Sequence, residues 1–99
     1  MTNIKFNEVK EEHLERLEQY TPIVARVHGG EHPEFHEVHK LVDEILDKME
    51  RSGDEKPELN QEFEELRHIT SDYKVPGDTC ESYEAVYQML EELDKAYQE

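Results

Sequence analysis

Apolar residues recur along this chain at steps of three and four, the spacing that gathers them on one face of an α-helix. Val9, Leu14, Leu17, Tyr20, Val24 and Val27 form such a row and predict a first helix over residues 7–28. Pro22 interrupts it. Thr21 directly before that proline is a good cap, so the segment reads either as one kinked helix or as a helix followed by a short second one. Gly29 and Gly30 close it, because glycine accepts the left-handed conformation that ends helices. The clearest stripe in the chain is Phe35, Val38, Leu41, Val42, Ile45, Leu46 and Met49, predicting a second helix over 33–51. A polar linker, Ser52 to Lys56, follows. Pro57 opens a third helix over 57–73, with Leu59, Phe63, Leu66, Ile69 and Tyr73 on its inner face. Lys74-Val75-Pro76-Gly77 is a loop, and Asp78 with Glu81 three residues later has the form of a capping box. The fourth helix, over 79–97, carries Cys80, Tyr83, Val86, Tyr87, Leu90, Leu93 and Tyr97.

No strand alternation, repeat or low-complexity segment competes with this pattern. Four amphipathic helices on short connections predict an all-α fold, an antiparallel up-down-up-down four-helix bundle forming a single domain over 1–99. Its core is expected on Leu17, Val24, Phe35, Val42, Ile45, Phe63, Leu66, Val86 and Leu90.

Charge narrows the partners. A formal net charge of -15 repels phosphates and anionic lipid, so neither nucleic acid nor a membrane surface is expected as a partner. No uninterrupted apolar run is longer than Ile23 to Ala25, and Lys5, Glu8, Lys10, Glu11 and Glu12 stand where a signal peptide needs apolar residues, so a cytoplasmic location is expected. The single cysteine, Cys80, excludes an internal disulfide and any cysteine-rich zinc site.

Four of the six histidines lie between His28 and His39. At about 100° per residue, His32, His36, His39 and Asp43 project within a sector of roughly 60°, beside the edge of the apolar stripe. Two readings of this face stand side by side. One is a row of half-exposed histidines at the rim of a bundle, with His39 and Asp43 an ordinary pair at one-turn spacing. The other is a weak mononuclear site for iron or zinc, since imidazoles and a carboxylate one turn apart present donors to one ion. His28 near the end of the first helix is accounted for by the helix dipole. His13 and His68 stand among charged residues and are expected at the surface. Cys80, between Thr79 and Glu81, reads as a half-buried structural cysteine, because nearby carboxylates oppose a thiolate. With no catalytic or cofactor-binding set in view, no enzyme activity and no obligatory cofactor are expected.

Two stretches resemble one known family, the iron-sulfur cluster repair di-iron proteins (RIC). The first is Ile23-Val24-Ala25-Arg26-Val27-His28-Gly29-Gly30-Glu31-His32-Pro33-Glu34-Phe35, similar to that family's Val-His-Gly-x-x-His-Pro-Glu element. The second runs from Leu66 through Tyr73-Lys74-Val75-Pro76-Gly77-Asp78-Thr79-Cys80 into Ser82-Tyr83-Glu84-Ala85-Val86-Tyr87, similar to the junction between the family's last two helices. The resemblance implies a hemerythrin-like bundle and a link to iron-sulfur cluster repair. It does not carry over the family's di-iron ligands. Where relatives have His-x-x-x-Glu late in the second helix, this chain has Asp47-Lys48-Met49-Glu50-Arg51. The histidine that opens their third helix has no counterpart in Glu58-Leu59-Asn60-Gln61, and His13 lies closer to His28 than the corresponding ligand does in relatives. The family's last ligand run, His-x-x-Leu-Glu-Asn, would fall beyond Glu99. His28 and His32 match motif positions only. The resulting expectation is a short RIC-like protein without a di-iron centre, serving an accessory or regulatory role in iron-sulfur, nitrosative or oxidative stress physiology. The alternative from a different class is an acidic interaction module that docks on a protein partner or self-associates.

Overall fold

The computed structural model describes residues 2–53 and 57–98. The described residues form four helices and no strand: α1 (Thr2–His28), α2 (Glu34–Ser52), α3 (Asn60–Thr70) and α4 (Glu81–Gln98). They make the expected up-down-up-down bundle, measuring 39 × 22 × 20 Å. A 27-residue helix is about 40 Å long at 1.5 Å per residue, so α1 spans the molecule from end to end. All nine expected core residues, from Leu17 to Leu90, are at most 1% exposed.

α1 is one continuous helix with Pro22 inside it. Pro22 is exposed, which puts the interrupted hydrogen bond on the solvent side, where water satisfies the freed carbonyl. The helix also begins earlier than the apolar row suggested. Phe6 is fully buried and meets Tyr97 edge-on, with ring centroids 5.6 Å apart. The inward row of α1 is Phe6, His13, Leu17, Thr21 and Val24, and it contains two polar residues. This corrects two expectations. His13 is buried, not at the surface, with Nε2 3.0 Å from a Glu92 carboxylate oxygen. Val27 is 65% exposed, because it lies about 80° round the helix from Leu17. His68 is exposed, as expected.

α3 is shorter than predicted at both ends. Its N-terminus is displaced to Asn60 because the backbone of Leu59 is not helical and its N–H is held by the Tyr97 hydroxyl at 2.9 Å. At the C-terminus Asp72 N–H reaches back to the Arg67 carbonyl at 2.8 Å, the closure of a left-handed cap. Ser71, Asp72 and Tyr73 all have positive φ, so Tyr73 leaves the helix. Its N–H is held by Thr70 Oγ1 at 2.8 Å, and its hydroxyl donates to Asp94 at 2.8 Å. The backbone of α1 lies close to both α2 and α4, and α2 lies close to α3. α3 and α4 are joined largely by long side chains: Tyr97 on Phe63, and Arg67 and Tyr73 on Asp94. Of the polar linker Ser52 to Lys56, residues 54–56 lie outside the described residues.

Candidate functional site

The turn between α1 and α2 is built by backbone bonds. Gly29 N–H bonds to the Ala25 carbonyl at 2.9 Å, and both Glu31 and His32 N–H groups bond to the His28 carbonyl. Phe35 N–H then bonds to the His32 carbonyl at 2.9 Å, so the chain enters α2 with no side-chain cap. Gly29 is required here by space. A Cβ on it would collide with the Ala25 carbonyl oxygen and with the His36 ring, which lies directly against this turn.

His28 and His32, one turn apart in sequence, both face the segment that leads into α4. His28 Nε2 lies 3.1 Å from Cys80 Sγ. His32 Nε2 lies 3.0 Å from the Asp78 carboxylate, and its Nδ1 lies 3.2 Å from Glu34. Both rings stand edge-on to Tyr83, with centroids 5.4 and 5.6 Å away. Tyr83 is fully buried and continues inward to Phe35 and Tyr87, its hydroxyl 3.1 Å from that of Tyr87. Burial, followed by the shared hydroxyl bond, pushes the Tyr83 phenol well above its ordinary range. The site is therefore a polar rim of two histidines, a thiol and two carboxylates on an uncharged aromatic floor.

The predicted capping box is corrected by this geometry. The Asp78 carboxylate is engaged by His32, and the first described bond of α4 runs from Glu84 N–H to the Cys80 carbonyl at 3.1 Å. For the His32 ring, local desolvation opposes the charge, but the charge and hydrogen bonds of Asp78 and then Glu34 outweigh it, so its pKa is raised. A raised folded-state pKa contributes stability that is complete below the unfolded value of about 6.5 and is lost as pH rises through the folded value. Thermal melts across about pH 5.5 to 8.5 should show this fall, and His32→Gln should flatten it. Identical pH slopes for the two proteins would contradict the assignment.

The histidine face predicted from periodicity is divided among separate partners. His32 belongs to the Asp78 and Glu34 pair, His36 lies against Gly29, and His39 pairs with Asp43 at 3.5 Å within α2. His28 is engaged with Cys80. Among the described residues no three His, Cys, Asp or Glu side chains are placed to hold one metal ion. The di-iron centre of the family that the chain resembles finds no such set among the described residues either. The buried residues with ligand-type side chains, His13, Glu62 and Asp94, are held apart by partners of their own: Glu92 for His13, Lys48 for Glu62, and Tyr73 and Arg67 for Asp94.

Cys80 corrects another expectation, since it is exposed, not half-buried. The carboxylates beside Cys80 are local in sequence, whereas His28 comes from 52 positions away and only the fold brings it to the sulfur. A signal was nonetheless present, because both family-like stretches carry one member of the pair.

No protein-family model and no solved structure matches the chain. No helix of the described residues is long and apolar enough to cross a membrane. The chain is similar to the iron-sulfur cluster repair protein ScdA of Staphylococcus haemolyticus, with 25% identity over 122 aligned residues. That alignment covers 92% of this chain and 55% of the relative, so the chain spans about half the length of the curated protein it matches.

Proposed function

We propose that this chain is a RIC-like protein of the cytoplasm that acts without a di-iron centre and without enzyme activity of its own, as an accessory or regulatory factor when iron-sulfur clusters are damaged by nitrosative or oxidative stress. The observation that carries this reading is the meeting of the two family-like stretches around Tyr83, with His28 on Cys80 and His32 on Asp78. The two pairs, 46 and 52 positions apart in sequence, bring both stretches into one site. An accessory factor needs a protein partner, and Ile23 and Val27 offer a contact point. They lie one turn apart on α1 and are 49% and 65% exposed.

The test is cellular. Cells lacking this chain should recover the activity of an iron-sulfur dehydratase more slowly after a pulse of nitric oxide. A chain with His32→Gln should restore recovery incompletely. Recovery at the parental rate without the chain would contradict the proposal.

A further inference from the structure

The His28 and Cys80 pair supports an inference that does not depend on the relationship to repair proteins. A nucleophile and a base within hydrogen-bond reach form the basic unit of thiol chemistry, and these two groups meet at 3.1 Å with the sulfur exposed. The pair holds its proton in either state, because a neutral Nε2 accepts from the thiol and a protonated Nε2 donates to the thiolate. Cys80 also sits immediately before α4. It lines a cleft of ≈ 280 Å³ with Val75 and Pro76 on one side and Glu81 and Glu84 on the other. The charged and titratable groups around the sulfur are His28 from α1, His32 and Glu34 at the start of α2, Asp78 from the loop, and Glu81 and Glu84 from α4. The Asp78 carboxylate is engaged with His32, leaving His28 as the group in contact with the sulfur.

We propose that Cys80, with His28 as its base, is a site of reversible modification by small cationic disulfides. The thiol proton passes to His28 Nε2, and the thiolate attacks one sulfur of the disulfide R–S–S–R. A Cys80–S–S–R bond forms as the reagent's S–S bond breaks. The departing R–S⁻ takes a proton to become R–SH, so the Cys80 sulfur is oxidised and the reagent's other sulfur is reduced. This chain has no second cysteine to resolve the adduct, so an external thiol is needed to remove it. Acidic cleft walls and a net charge of -15 select a cationic reagent over an anionic one and oppose a disulfide between two copies of the chain.

Cystamine and oxidised glutathione are the probes, each rate being normalised to the same reagent's rate with β-mercaptoethanol, and the product is read by mass spectrometry. At pH 7 the folded chain should gain one half-cystamine at Cys80, at least about threefold faster than the same chain unfolded in urea. At low salt the normalised rate with oxidised glutathione should be lower by about tenfold, and the gap should narrow as salt is added. His28→Gln, shown by circular dichroism to be folded, should react at least about threefold more slowly at pH 7, with the deficit vanishing above about pH 9.5, where a thiol ionises without a base. A deficit constant across pH would make His28 merely structural and overturn its role as base. Folded and unfolded chains reacting alike, equal normalised rates for the two disulfides, or a covalent dimer as the main product would each overturn the proposal without reference to any variant.

Discussion

Truncating Phe35 to alanine is expected to lower the unfolding free energy by about 3 to 5 kcal/mol, the range for removing a buried aromatic ring. Phe35 is fully buried in the first turns of α2, with its ring centroid 4.9 Å from that of Tyr83 and 6.1 Å from that of Tyr87. It joins the start of α2 to α4 and supports the aromatic floor beneath His28 and His32. The loss therefore has two components: the ring's own burial, and a cavity that the Tyr83 and Tyr87 hydroxyl pair cannot fill without breaking. For a chain of this size, each 1 kcal/mol moves the melting temperature by about 4 to 8 °C, so the variant should melt far below the parent. Phe35→Leu should recover a substantial part of the stability. A Phe35→Ala melt that overlays the parent would mean that Phe35 does not pack on Tyr83 and Tyr87 as described.

Replacing Asp94 with alanine should have the next largest effect, on the order of 3 kcal/mol. Asp94 is 5% exposed, accepts from the Tyr73 hydroxyl at 2.8 Å and from Gln98 Nε2 at 3.1 Å, and forms an ion pair with Arg67, whose Nε lies 3.2 Å away. Removing it strands the buried Tyr73 hydroxyl and releases Arg67, whose side chain is 40% exposed and is rehydrated in part. The cost therefore falls mainly on the buried phenol, and the Arg67 contribution is reduced by solvent. Because α3 meets α4 chiefly through such side chains, the damage should be local. Hydrogen exchange in Asp94→Ala should rise in α3 and in residues 71–73, while α1 stays protected. Uniform exchange across all four helices would contradict this division. Asp94→Asn, which keeps an acceptor for Tyr73, should cost less than alanine.

The parts of the fold that were legible in the sequence are those where apolar residues alone define the buried face. α2 is the clearest case, since its stripe from Phe35 to Met49 is interrupted by no buried polar residue. α1 was harder to read, because its inward row runs Phe6, then seven residues on His13, Leu17, Thr21, Val24 and the half-buried His28 at steps of three and four, so that it includes two histidines and a threonine. A count restricted to apolar residues drifts to Val27, which faces water. The ends of α3 were illegible for another reason. Pro57 is a good helix opener and Tyr73 has apolar bulk, but Tyr97 and Thr70 hold the flanking backbone out of the helix, and both bonds depend on tertiary placement. Within the site, the Val-His-Gly-x-x-His-Pro-Glu element marked His28 and His32. Their partners Cys80 and Asp78 lie in the second stretch, and only the fold brings the two together. Periodicity placed His36, His39 and Asp43 on one face with His32, but it carries no information about the closer partners that divide them.

Iron binding tests most directly the proposal of a RIC-like chain without a di-iron centre. The untagged chain should be loaded anaerobically with Fe²⁺, desalted, analysed for iron and examined by ultraviolet-visible spectroscopy after exposure to air. A carboxylate-bridged pair of irons needs inward histidines and carboxylates that converge from several helices; among the described residues the buried His13, Glu62 and Asp94 are engaged with separate partners and no three such side chains come together. The prediction is iron well below one equivalent per chain and no oxo-bridge absorption band. Two irons per chain with that band would contradict the account.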